Sequence, residues 1–248
     1  MLKKERHAFI KREIDIHNKV LSSDLSSQLN VSEDTIRRDL QELEDAGLLS
    51  KVHGGALSKS IQFSLHESAV YSQPEKKTIA EKARELIKDG MIVLLSGGTT
   101  IIELIRSLPA DLKATFVTVS IPTALELLNH PSSEVIFLGN KLLKNAQMAV
   151  GAEVVQKLSE IKADLCFLGT NSIDVNEGLT DLEWEVIEVK KAMIKNTRKT
   201  VLLSISKKLN TVQRLKICNI EEVDILITEL DPHDNALKPY AEKKLTVI

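Results

Sequence analysis

The chain has 248 residues, enough for one small and one larger domain that each bury a core. Apolar residues make up 43%, charged residues 27%, and the formal net charge is −2, which excludes a disordered tail-like chain and a uniformly basic one. No apolar run approaches a membrane span, and Met1–Arg6 leads into a charged amphipathic helix rather than a signal peptide, so a cytoplasmic protein with no membrane partner is expected.

Phe9, Ile10 and Ile14 mark an opening helix that runs to about His17. Leu25 and Leu29 form the apolar edge of a short second helix, which Asn30 ends because it tolerates a left-handed turn. Ser32 can cap a third helix, with Glu33 and Asp34 in its first turn, where acids complement the macrodipole. Along it Ile36, Leu40 and Leu43 repeat at helical spacing, while Asp34, Arg38, Gln41 and Asp45 fall on the opposite side. Gly47 stops this helix, and Leu48–Ala56 then reads as a two-stranded wing around His53-Gly54-Gly55-Ala56. Residues 1–57 are thus expected to form a winged helix-turn-helix.

Such a module reads DNA, and the candidate contacts are Ser32, Thr35, Arg37, Arg38 and Gln41 on the third helix with Lys51, His53, Gly54 and Gly55 on the wing. A three-helix module that binds only protein is the alternative, because residues 1–60 hold ten Lys/Arg and ten Asp/Glu and lack a net basic footprint. Placement favours DNA. The two arginines lie early on the third helix, whereas Glu42, Glu44 and Asp45 crowd its far end.

A loop-like linker is predicted over 58–73, with a helix beginning at Pro74 or Glu75. From 74 to 248 the pattern alternates between strands and helices. Strands are predicted at Met91–Leu95, Thr115–Val119, Glu134–Leu138, Asp164–Leu168, Thr200–Leu203, Asp224–Thr228 and Lys244–Ile248. Helices are predicted at Thr99–Ser107, after Ser120, and near 148–158, 183–197 and 232–243. This alternation implies a doubly wound, mostly parallel α/β sheet.

Ligands of such sheets bind beyond the carboxyl ends of the strands, and here those loops are small and polar. Ser96, Gly97, Gly98, Thr99 and Thr100 form the sharpest one: two glycines let a ligand approach, and a helix N-terminus with two hydroxyls follows. The same residues also suit a plain strand-to-helix turn with a threonine cap. Ser120, Lys141, Gly169 and Lys208 complete the candidate effector site. The loop is neither a dinucleotide fingerprint nor a triphosphatase loop. Cys166, Cys218 and the scattered histidines have no metal-ligand spacing, so neither metal nor cofactor is expected, and both thiols read as buried. Trp184, at a helix start, is expected to pack on the sheet edge.

The run Arg6-x3-Ile10-x3-Ile14, then seventeen residues, then Ser32-x2-Thr35-Ile36-Arg37-Arg38-Asp39-Leu40, resembles the helix-turn-helix of the DeoR family of bacterial repressors, as does the wing His53-Gly54-Gly55-Ala56. Glu75–Ala80, Leu94–Thr100, Val135–Gly151, Ala163–Gly169, Gly178–Thr180 and Glu188–Ile194 resemble that family's sensor domain. The resemblance implies a fold like ribose-5-phosphate isomerase and glucosamine-6-phosphate deaminase, and an effector that is a phosphorylated sugar. It further implies operator DNA as partner and a homo-oligomer, dimer or tetramer. Four positions depart from the family pattern: Ser96 and Ile205 stand where aspartates are usual, Val119 where asparagine is, and Asn140 where glycine is.

Three functions compete. The first is a repressor of a sugar-utilisation operon, controlled by a phosphorylated metabolite. The second is the same DNA reader on a domain that only oligomerises and binds nothing. The third is a sugar-phosphate isomerase or deaminase fused to a DNA-binding module, which would need a carboxylate base where Ser96 and Ile205 stand. Asp174, Glu177, Asp181 and Glu183 are nearby in sequence but read as solvated turn residues, so no catalytic residue is assigned.

Overall fold

The computed structural model describes residues 1–59 and 70–248, which divide into two compact units, Met1–Tyr71 and Ser72–Ile248. Most of the segment predicted as a linker, residues 60–69, lies outside the described residues.

In the first unit α1 (Lys3–His17) ends at Asn18, whose left-handed backbone (φ 64°) turns the chain into β1 (Lys19–Leu21). Helix α2 (Ser22–Leu29) follows without a break and stops at Asn30, also left-handed (φ 50°). The turn delivers α3 (Glu33–Asp45), capped by Ser32, whose hydroxyl accepts from the Thr35 N–H at 3.3 Å. At its far end Gly47 (φ 74°) donates to the Glu44 carbonyl and Leu48 donates to Leu43, a Schellman closure. Ile10, Ile14, Val20, Leu25, Ile36, Leu40, Leu43, Leu49 and Ala56 then share one core.

The wing departs from expectation. Strands β2 (Ser50–Val52) and β3 (Gly55–Leu57) pair as foreseen, but β1 adds to β3, giving an antiparallel sheet in the order β1-β3-β2. Three residues carry too little periodicity to be read as a strand. Only the approach of β3 pairs them, with Val20 opposite Ala56.

The second unit is built on seven parallel strands in the order β15-β14-β12-β9-β4-β5-β6. These are β4 (Ile92–Leu95), β5 (Thr115–Thr118), β6 (Glu134–Phe137), β9 (Ala163–Gly169), β12 (Thr197–Leu203), β14 (Ile225–Ile227) and β15 (Thr246–Val247). From β4 the chain steps outward through β5 to β6, then returns to the other side of β4 at β9 and continues away from it. Right-handed crossovers make this reversal a switch point, with helices on both faces and a crevice beyond β4 and β9. The connecting helices are α4 (Gln73–Arg84), α5 (Thr99–Ser107), α6 (Ile121–Leu127), α7 (Ala152–Ser159), α8 (Trp184–Lys195) and α9 (Lys238–Ala241).

Several short elements escaped the sequence pattern. The predicted helix near 148–158 divides into a strand, β8 (Met148–Val150), paired with β7 (Lys141–Leu143), and then α7 after Gly151. A second antiparallel sheet joins β10 (Ser172–Asp174), β11 (Gly178–Asp181) and β13 (Leu215–Cys218). The predicted 232–243 helix shrinks to a 3-10 turn at Asn235–Leu237 and the four residues of α9, because Pro232 and Pro239 lack the N–H groups a longer helix needs. Trp184 does not pack on the sheet; it is 68% exposed. Cys166 and Cys218 are buried free thiols, as expected. Among the described residues, no helix is long and apolar enough to cross a membrane.

Close backbone approach makes Gly55 indispensable to the wing. A Cβ built there would meet the Val20 carbonyl oxygen at 1.9 Å, a clash with backbone that no rotamer change relieves. Gly55→Ala is expected to cost about 1–3 kcal/mol, the usual range for overpacking, and to push β3 off β1. Chemical denaturation and amide exchange at Val20 and Ala56 measure it. An unchanged midpoint with protected amides would contradict this account.

Candidate DNA interface and candidate anion site

Helix α3 presents Arg37, Arg38, Gln41, Glu42 and Asp45 on its exposed side, with His53 and Gly54 exposed at the wing turn. Gly54 (φ 76°) makes that turn. The sequence-predicted DNA residues therefore occur together on α3 and the wing, but most are already engaged. Arg37 reaches Asp34 at 3.2 Å and Glu33 at 3.4 Å on its own helix. Lys51 donates to Gln41 at 2.8 Å, and Gln41 donates to Asp45 at 2.9 Å. Ser32 and Thr35 spend their hydroxyls on the cap and on each other, 3.0 Å apart. Arg38 is exposed and has no side-chain partner among the described residues. Exposed pairs of this kind are worth about 0–1 kcal/mol each, so DNA phosphates can displace them cheaply.

What holds this face in place was not read from the sequence. Asp39, turned inward from α3, is 2% exposed. Its Oδ2 accepts from Arg6 Nε and its Oδ1 from Arg6 Nη2 at 2.9 Å, while His7 Nε2 lies 3.0 Å from that same Oδ1. Burial opposes the charge on Asp39, but the bonds from Arg6 and His7 outweigh it and hold the carboxyl below its usual range. The pair clamps α1 to α3 from 33 residues away, a separation at which no local signal exists.

In the second unit the loops after β4 and β9 meet at the switch point. Gly98 (φ 121°) is exposed and opens α5, leaving the first-turn N–H groups of Thr99 and Thr100 beside it. Ser96 is buried. Its hydroxyl accepts from the Gly169 N–H at 2.9 Å and so ties the two loops together. Ser120, also buried, caps α6 through the Thr123 N–H at 3.4 Å and sits against Gly97. Ser96 and Ser120 thus shape the loops more than they face a ligand. Lys141 stands apart, exposed and paired with Glu185 at 2.9 Å.

Lys208 extends from a 3-10 turn after β12 over the end of β9, where its ammonium donates to the Thr170 carbonyl at 2.6 Å. Burial, with the added charges of Lys76 and Lys190, pushes its pKa down to about 7, while Asp181 pulls the other way. Sequence reasoning missed those two neighbours. Lys76 of α4 and Lys190 of α8 are 7% and 8% exposed. A signal was present: Lys76 falls on the stripe Ile79, Ala80, Ala83, and Lys190 on the stripe Val186, Val189, Met193. A lysine on a buried stripe is rarely left without a purpose.

Asp181 answers Lys190. Asp181, expected to be a solvated turn residue, is instead 2% exposed and accepts from Lys190 at 3.0 Å, the Leu182 N–H at 2.7 Å and Asn171 at 3.1 Å. Burial disfavours its charge, yet Lys190 prevails and its carboxyl stays below the usual range. Lys190 and Asp181 thus form a buried pair close to Lys208, on the side of the β9 loop away from Ser96.

Comparison with known proteins agrees with both halves. A model of the DeoR-like helix-turn-helix domain matches residues 6–62, and a model of the DeoR C-terminal sensor domain matches residues 72–230. The HTH-type transcriptional regulator GolR of Listeria innocua is 31% identical over 98% of this chain and 97% of its own. The HTH-type transcriptional repressor GlcR of Bacillus subtilis is 30% identical over 94% and 91%. Among solved structures, ribose 5-phosphate isomerase A from Methanocaldococcus jannaschii aligns with a TM-score of 0.40 at 20% identity. The match covers 54% of this chain and about half of that one (53%), and it carries no argument about function.

The Asp39 clamp makes a prediction with a definite sign. Because its folded pKa is lowered, Asp39 contributes stability above its unfolded pKa of about 3.9 and loses it as pH falls through the folded value. Asp39→Asn is expected to cost about 1–3 kcal/mol at pH 7 and to flatten the loss of stability below about pH 4. Thermal melts from pH 3 to 7 test this, and parallel curves for parent and variant would refute it. With its winged helix-turn-helix, its parallel sensor sheet and relatives matched from end to end, this chain belongs to the DeoR family of transcriptional regulators.

Proposed function

We propose that this regulator represses a carbohydrate-utilisation operon and is controlled by a phosphorylated sugar or a similar small anion. The observation that carries the reading is the strand-order reversal, which brings the Ser96–Thr100 loop and the β9 loop side by side through the Ser96–Gly169 bond and sets Lys208 against Thr170 just beyond it. The exposed Gly98 opens α5 there, where first-turn N–H groups and a lysine suit an anion.

Sensing accounts for the site better than catalysis does. An isomerase needs a carboxylate free to take a proton, and Asp181 is committed to three donors. Ser96 is bonded to Gly169, and Ile205 is buried and apolar. The N-terminal domain is residues 1–57 and the sensor 74–248 in this reading, with 58–73 between them. It acts in the cytoplasm as a dimer or tetramer, since one winged helix covers too little DNA to select an operator.

In DNA recognition we assign base reading to Arg38, which is free to extend, and phosphate contact to Arg37, which must first leave Glu33 and Asp34. Thr35, Gln41, Lys51 and His53 flank them, and the exposed Gly54 allows close approach at the wing turn, whereas Gly55 is buried against Val20. Arg38→Ala is expected to lose about 1–3 kcal/mol of discrimination between operator and random DNA. Arg37→Ala should weaken both equally and lower the salt slope by about one. Anisotropy titrations over a salt series, with light scattering for the number of subunits per operator, decide this. An Arg38→Ala protein that discriminates as the parent does, or a monomer on DNA, would overturn the assignment.

In the sensor, anion binding should favour the charged form of Lys208, whose free-state pKa lies near 7. Binding above that pH then takes up a proton, so affinity for inorganic phosphate or ribose 5-phosphate should fall as pH rises from 7 to 9. Lys76→Met should weaken binding by about 10-fold or more, and Thr100→Ala by a few-fold, on the scale of charged and neutral hydrogen bonds. Calorimetry in buffers of different ionisation enthalpy reads the proton directly. No heat with either anion, in a protein that still binds DNA, would leave the oligomerising domain as the answer.

A further inference from the structure

The two edges of the seven-stranded sheet are finished differently. At one end β15 is two residues long and follows Lys243 and Lys244, so short length and positive charge keep other strands from adding to it. At the other end β6 has neither protection. Glu134-Val135-Ile136-Phe137 holds no proline, lysine or arginine, and among the described residues no strand pairs with its outer side. Ile136 and Phe137 are exposed, as are Leu125 and Leu128 on α6, the helix that packs on β5 and β6; the four are 39–70% exposed. Together they offer roughly 300 Å² of apolar surface, the size at which such patches are often functional. Glu134 and Leu138 donate to Ala114 and Thr118 at 3.0 and 2.9 Å. Alternate residues therefore face β5, and the N–H and C=O groups of Val135 and Phe137 point outward from the sheet.

We propose that β6 pairs with β6 of a second copy of this chain, antiparallel about a two-fold axis at Ile136, and joins the two sheets into one. The inference rests on the reading of this regulator as an oligomer and deepens it by naming the surface. The free backbone groups select this occupant and this register. An axis at Ile136 sets Val135 opposite Phe137 of the second copy, and Phe137 opposite its Val135, so every outward N–H and C=O of the two strands is matched. Aromatic against β-branched is a favourable cross-strand pair, and Ile136 meets its own copy at the close, non-hydrogen-bonded position. Charge agrees with the register: Glu134, the one charge in the strand, falls opposite Leu138 rather than against its counterpart. The helices fit as well. With strands about 4.8 Å apart, two α6 helices that each pack on β5 and β6 come to lie roughly 10 Å from one another, the spacing of packed helices. Leu125 and Leu128, three residues apart on α6, are the apolar side chains available to that seam. Such a pair hides about 600 Å² of apolar surface, close to the apolar share of the smallest specific interfaces.

Disulfide trapping in the full chain tests the register. Cys166 and Cys218 are buried, so a thiol introduced by Ile136→Cys is the accessible one. Opposed Cβ atoms about 4.5–5.5 Å apart need only a small shift to form a disulfide, so mild oxidation is expected to turn most of this variant into a covalent dimer on a non-reducing gel. Glu134→Cys, whose counterpart lies about 13 Å along the strand, should link at least about tenfold more slowly. Ile136→Lys sets two ammonium groups face to face and should raise the dimer dissociation constant roughly tenfold by light scattering. Trp184→Lys, at another exposed apolar side chain, should leave it unchanged. The cysteine variants keep the test decisive if Ile136→Lys does not fold. Equal linking at positions 134 and 136 overturns the β6 interface. So does an oligomer in which Ile136→Cys stays unlinked and Ile136→Lys keeps the parent's size, and the oligomer reading then stands without this surface. A parent protein that remains monomeric at micromolar concentration overturns both.

Discussion

Reversal of strand order beside β4 is the constraint on which the sensor depends. Strands β4, β5 and β6 step one way and β9, β12, β14 and β15 the other, so no crossover passes over the carboxyl ends of β4 and β9. The loops there need not cover a core, and they can carry glycines and polar side chains. A single side-chain bond, Ser96 to the Gly169 N–H, keeps the two loops in register. Every candidate ligand group is then delivered from a different element: α5 by its first turn, α4 by Lys76, α8 by Lys190, and the turn after β12 by Lys208.

Charge decides what such a crevice can do. Lysines seldom tolerate burial, and here two are almost fully buried while a third is half-buried close by. Asp181 offsets one of them. Burial and the two neighbouring lysines lower the proton affinity of Lys208. Any ligand of such a domain can shift a conformational equilibrium only by its unequal affinity for the two states.

The DNA-reading unit handles charge in the opposite way. Arg37 is balanced by Glu33 and Asp34 on its own helix and Lys51 is held by Gln41, so the exposed face of α3 is partly neutralised in the free protein while Arg38 stays free. Weak exposed pairs cost little to break, and they restrain Arg37 from collecting other polyanions. The strong pair is kept inside, where Arg6 and Asp39 fix α3 against α1. One domain therefore uses its ion pairs for orientation at the core and for restraint at the surface.

Local chemistry was enough to reveal much of this protein. Ser32, Asn30 and Gly47 mark the ends of α2 and α3 because a cap and a left-handed turn are properties of single residues. Apolar runs marked all seven parallel strands, most plainly the central ones, where a strand buried on both faces has no polar side, and Gly97–Thr100 announced the loop after β4. The short antiparallel strands β1, β7, β8 and β10 were invisible because they have no period of their own and exist only through their partners. Pairings such as Arg6 with Asp39 and Lys190 with Asp181 were equally hidden, although two lysines on buried stripes were there to be noticed. Sequence by itself determined the elements and the family. Tertiary structure alone decided strand order and which charges pair, because both depend on contacts between segments far apart in the chain.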